Sequence, residues 1–70
     1  MNLNILTKRE KEVFDFLILS KSTKEIAALL KITEKTVRNH ISNVMQKLSV
    51  NNRVSAVVEL IKLEEINIYN

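Results

Sequence analysis

Glycine, proline and cysteine are absent from all 70 residues. Without cysteine there is neither a disulfide framework nor a thiolate zinc site. The single histidine makes no metal site unless other ligands converge on it. Without glycine there is no phosphate-cradling P-loop and no dinucleotide-binding turn. Lacking both glycine and proline, the chain is also poorly suited to a sheet of tight hairpins, whose turns favour those residues. Long apolar runs are missing too. The longest, Phe16–Leu19 and Ile26–Leu30, fall far short of the ~18 residues that span a bilayer. The segment Met1–Thr7 has no basic stretch ahead of an apolar one and is not a signal peptide, so the chain reads as cytoplasmic.

What remains is 46% apolar and 27% charged, the composition of a folded soluble domain. A chain of this length holds one domain, taken as residues 1–70. Only about 60% of its unfolded surface can be buried at that size, so stability is marginal and a partner helps. The net charge of +3 is unevenly spread. Cations and carboxylates balance in residues 1–19. Residues 20–53 carry seven cations (Lys21, Lys24, Lys31, Lys35, Arg38, Lys47, Arg53) against Glu25 and Glu34, and residues 54–70 are acidic. A basic block between neutral and acidic segments suggests a polyanion partner, nucleic acid first.

The apolar spacing is helical throughout and predicts an all-α fold of four helices, at about 7–20, 23–30, 34–48 and 52–65. Thr7-Lys8-Arg9-Glu10 and Ser22-Thr23-Lys24-Glu25 are capping boxes that open the first two. Val13, Phe14, Leu17 and Ile18 form the first apolar stripe; Ile26, Leu29 and Leu30 mark the inner face of the second helix. Lys31-Ile32-Thr33 is the connection to the third, with Thr33 as its N-cap and Glu34 well placed against the dipole. There Val37, Ile41, Val44 and Leu48 make one inner stripe. The opposite face collects Lys35, Arg38, Asn39, Ser42, Asn43, Gln46 and Lys47. Ser49-Val50-Asn51-Asn52 makes the next turn, with asparagine tolerating left-handed backbone in place of glycine. The fourth helix has more apolar positions than one face can bury, which marks a second interface, and Ile66, Ile68 and Tyr69 extend that character.

Two helices joined by a short turn, the second with a basic, amide-rich outer face, describe a helix-turn-helix. Arginine matches guanine edges bidentately and asparagine matches adenine edges. Arg38 and Asn39 therefore read as base contacts, with Ser42 one turn further on the same face. Thr23, Lys24, Lys35, Thr36, Asn43 and Lys47 are the expected phosphate contacts, helped by the free amides at the starts of the second and third helices. Arg53 is open between a phosphate and the C-terminus of the third helix. Glu10 and Glu25 are explained by capping and internal ion pairing, His40 and Met45 by packing, and Lys21 and Lys31 by solvation.

The runs Leu6-Thr7-x-Arg9-Glu10-x-Glu12-Val13, Lys24-Glu25-Ile26-Ala27-x-x-Leu30-x-Ile32-Thr33-x-x-Thr36-Val37-Arg38-x-His40-x-x-Asn43 and Lys47-Leu48-x-Val50-x-x-Arg53-x-x-Ala56-Val57 resemble the LuxR/GerE-type helix-turn-helix family, over nearly the whole chain. The resemblance implies a four-helix DNA-binding domain of a sequence-specific transcription regulator. It implies major-groove reading by the third helix and a homodimer through the fourth, which places Val54, Val58, Ile61, Lys62 and Glu65 at the dimer contact. It implies no cofactor, metal, small-molecule ligand or membrane partner, and action at the nucleoid. The family often has glycine at the positions of Ser20, Ser49 and Glu64. A left-handed Ser49 would cost roughly 1–2 kcal/mol relative to glycine, and Glu64 would let the fourth helix run on. Two alternatives remain: a protein-interaction module using the apolar face of the fourth helix, and a sigma-factor-like promoter-binding domain. His40 and Asn43 fit the first-named family better than the latter. An enzyme is excluded by the lack of any nucleophile, histidine and carboxylate arranged together.

Overall fold

The computed structural model describes residues 5–63, and all regular structure among them is helical. The expectations placed on Glu64, Glu65, Ile66, Ile68 and Tyr69 lie outside the described residues. Helix α1 is Lys8–Ile18, α2 Thr23–Leu30, α3 Glu34–Leu48 and α4 Arg53–Lys62.

Each helix starts where a side chain can take a free amide. Thr7 and Ser22 accept from the amides of Glu10 and Glu25, and those glutamates accept from the cap amides in return. Thr33 accepts from the Thr36 amide and Asn52 from the Ser55 amide. Caps of this kind contribute about 1 kcal/mol each.

Helices α2 and α3 end where the sequence reading put them, and the backbone that closes them is left-handed. Three non-glycine residues adopt left-handed backbone: Ser20 (φ 64°), Lys31 (φ 59°) and Ser49 (φ 56°). Each is followed by an amide that reaches back to a carbonyl five residues earlier: Lys21 to Phe16, Ile32 to Ala27 and Val50 to Met45. This is the Schellman closure, which ordinarily uses glycine. It ends α1 at Ile18 rather than at residue 20. Left-handed geometry falls on Ser49 and not on the Asn51-Asn52 pair; Asn52 is extended and serves as an N-cap. Lys31, read as merely solvated, turns the chain between α2 and α3. Among the described residues α4 runs from Arg53 to Lys62; its expected end near residue 65 lies outside them.

The core draws on every helix: Val13 and Phe14 of α1, Ile26 and Ala27 of α2, Val37, Ile41 and Val44 of α3, Ala56 and Leu60 of α4, with Leu6 closing one end. Leu48 of the predicted α3 stripe is only partly buried. Leu29 is a correction. It is 53% exposed, and Ala27 takes its place on the inner face. The small alanine lets α2 lie close against α3, whereas a leucine there would hold the two apart.

Candidate nucleic-acid interface

Because Val37, Ile41 and Val44 face inward, the α3 residues at the complementary spacing face out. Lys35, Arg38, Asn39, Ser42, Asn43 and Gln46 are all exposed and lie along one side of a helix roughly 22 Å long. The three expected base-reading residues thus share one open face. His40 is partly buried at the edge of the core, as its offset from the apolar stripe predicted.

The N-terminal end of this face is tuned by short polar links. The Arg38 guanidinium lies 3.6 Å from the Glu34 carboxylate one turn earlier, with both side chains about half exposed. The i, i+4 spacing made that pair legible; reading Glu34 only as a dipole partner missed it. The Thr33 hydroxyl donates to Thr36 Oγ1 at 2.9 Å, leaving the Thr36 hydroxyl proton for an outside acceptor.

Lys24 is exposed in the first turn of α2. Beside it, Arg53 Nη1 donates to Thr23 Oγ1 at 3.3 Å. That bond ties the start of α4 to the start of α2 and brings Arg53 to the expected phosphate contacts Thr23 and Lys24. It does not cap the C-terminus of α3. The Ser22 amide, and after it the Ser22 side chain, hold the Glu25 carboxyl below the usual range, so Glu25 stays ionised beside this basic group.

Lys47 is where the structure departs most from the sequence reading. Its ammonium does not stand free on the outer face. It is bonded to the Glu10 carboxylate and donates to the Ile5 carbonyl at 3.1 Å. Glu10 is 3% exposed, the only buried charged residue among those described. Nothing in local spacing could have shown this link, which joins residues 37 apart.

A second surface lies on α4. Val54, Val58 and Leu63 are 73%, 43% and 47% exposed. Val54 and Val58, with Val57, Ile61, Arg53 and the end of α1 at Leu17 and Ile18, line an open apolar groove. Of the expected dimer residues, Ile61 is half-buried in this groove, whereas Lys62 is exposed and paired with Glu59 at 3.5 Å. No group of three or more histidine, cysteine, aspartate or glutamate residues among those described could hold a metal ion. No helix among them is long and apolar enough to cross a membrane.

Comparison with known proteins bears on this arrangement. The family described as "GerE: Bacterial regulatory proteins, luxR family" matches residues 4–60. The chain is similar to the spore germination protein GerE of Bacillus subtilis (strain 168), with 61% identity over 64 residues, covering 91% of this chain and 86% of GerE. It is 52% identical over 60 residues to the transcriptional regulatory protein DegU of Brevibacillus brevis, covering 86% of this chain but only 25% of DegU. A solved structure of the transcription factor GerE superposes with a TM-score of 0.90 at 52% identity, covering 93% of this chain and 97% of that one.

Proposed function

The chain belongs to the luxR family of bacterial regulatory proteins and is a transcription-regulator DNA-binding domain rather than an enzyme; from that premise we propose that it binds duplex DNA sequence-specifically as a homodimer, reading the major groove with α3. The observation that carries this reading is the outer face of α3, a basic and amide-rich strip exposed along the whole helix and backed by a buried apolar stripe. Arg38 pairs with a guanine edge, Asn39 with an adenine edge, and Ser42 with either. Thr23, Lys24, Lys35, Thr36 and Asn43 hold the backbone on either side, and Arg53 joins them through Thr23.

The apolar groove along α4 supports a second copy of the chain as the homodimer partner, with Val54 and Val58 as its anchors. Paired subunits would set the spacing of two half-sites. The domain spans residues 1–70 and acts in the cytoplasm, at the nucleoid. Likeness to a spore germination protein supports a role in regulation linked to sporulation.

Selection of bound fragments from random duplex DNA tests this reading. A palindromic site is expected, with affinity falling with salt at a slope of about −0.9 per phosphate neutralised. Arg38→Ala should cost about 1–3 kcal/mol at its base pair and relax preference there, whereas Lys24→Ala should weaken all sequences alike. An Arg38→Ala variant with unchanged affinity and preference would show that the reading face is misassigned.

A further inference from the structure

We propose that Lys47 is a positioning residue: its bond to the buried Glu10 carboxylate fixes the rotation of α3 against α1, and with it the aim of Arg38, Asn39 and Ser42, while Lys47 makes no phosphate contact of its own. The inference rests on α3 being the base-reading helix.

Three segments meet at one ion pair. Glu10 is seated on α1 by its capping box, its Oε1 accepting from the Thr7 amide at 3.0 Å. The same oxygen accepts from Lys47, in the last turn of α3. Lys47 also donates to the carbonyl of Ile5, ahead of α1. Each residue of a helix advances by about 100°, so pinning one side chain to a fixed acceptor sets the direction of every other residue on the rod. The apolar stripe of Val37, Ile41 and Val44 decides which face of α3 turns inward, but its contacts are non-directional. The charge-assisted bond from Lys47 to Glu10 adds a directional link between α3 and α1 that the apolar contacts lack. Drawing the ammonium away to a phosphate would strand a buried, unpaired carboxylate, which is the costly arrangement. Burial works to raise the Glu10 carboxyl, yet the Lys47 hydrogen bond, the Thr7 amide and the Lys47 charge together hold it below its ordinary value, so the carboxylate stays ionised.

The test uses the full chain with the selected site and a random duplex, each titrated over a series of salt concentrations, for the parent, Arg38→Ala, Lys47→Met, Lys47→Arg, Glu10→Gln and the double variant Glu10→Gln/Lys47→Met. Helical content is recorded under the assay conditions. Lys47→Met should keep the parent's salt slope on random DNA yet lower the ratio of specific to random binding about tenfold, the scale of one misplaced base contact. Glu10→Gln should lose specificity in the same direction, Lys47→Arg should restore most of it, and the double variant should be no worse than either single one. The proposal is overturned by a salt slope shallower by about 0.9 in Lys47→Met, or by tighter binding in Glu10→Gln, the sign of a lysine freed for phosphate. If Lys47→Met does not fold, the sign of the Glu10→Gln effect decides alone. Should Arg38→Ala be silent, the base-reading assignment fails and this inference falls with it; should Arg38→Ala relax specificity while Lys47→Met changes the slope, only this inference fails.

Discussion

Arg38 near the start of α3 and Lys47 in its last turn are cations on one helix, and each has a carboxylate within reach. Arg38 meets Glu34 from the same helix at 3.6 Å, with side chains 56% and 46% exposed. Such pairs contribute about 0.3–0.5 kcal/mol and are screened by salt. Lys47 instead meets a glutamate from another helix whose side chain is 4% exposed and already holds a backbone amide. One pair opens at almost no cost, so its arginine is available to a ligand. The other is part of the fold. Equal charge on one helix therefore says little about partners; the solvation of the counter-ion decides it.

The sharpest way to break this contrast is to remove each cation's partner relation in turn and measure urea unfolding. Lys47→Met should lower stability by about 1–3 kcal/mol, the cost of leaving a buried acceptor unsatisfied, and in that variant the Glu10 carboxyl should titrate higher, since burial then acts with less opposition. If Lys47→Met unfolds at the parent's urea midpoint, the two pairs are equivalent.

An acid titration probes the same asymmetry. Glu10 is held below its ordinary value of 4.5 in the folded chain. Its stabilising contribution is therefore complete above the unfolded value and is lost as pH falls through the folded one. Glu25 acts with the same sign. The parent's advantage over Glu10→Gln should accordingly be full near neutral pH and vanish on acidification, as read from urea midpoints across the acid range. An advantage independent of pH would show that the Glu10 charge is immaterial.

Smaller effects are expected where backbone rather than charge is under load. Ser49→Gly, just past the clamped end of α3, should raise stability by about 0.5–1 kcal/mol, the relief of a left-handed side chain less the entropy of a freer unfolded chain. Ser20→Gly and Lys31→Gly should behave alike. Thermal melting checks all three, and a destabilising Ser49→Gly would mean that the serine side chain does more than tolerate its backbone. Smallest of all, Glu34→Gln should shift stability by no more than about 0.5 kcal/mol, while slightly tightening binding to every duplex by removing a negative charge beside the proposed DNA-binding face.

Most of the fold could be read locally. Capping boxes at Thr7 and Ser22 and the cap at Thr33 stand in the sequence as fixed spacings, and the structure uses all three. The same holds for the strip on α3, because helical periodicity sorts residues into faces before any neighbour is known. Helix ends were less legible. Glycine normally advertises a left-handed closure; without it Ser20 and Ser49 are marked only by the family's usual glycines, and Lys31 by nothing. Leu29 was misplaced because a two-turn helix offers too few residues to tell one apolar side from the next.

By itself, then, the sequence determined the four helices, their starts and the residues on the outer face of α3, all properties of neighbours within one turn. Only the tertiary structure decided what each charge is for. It brought Lys47 to Glu10, Arg53 to Thr23 and the end of α1 to the apolar side of α4. Those relations depend on which helices pack together. A side chain's solvation, and hence its freedom to bind anything else, exists only once that packing is complete.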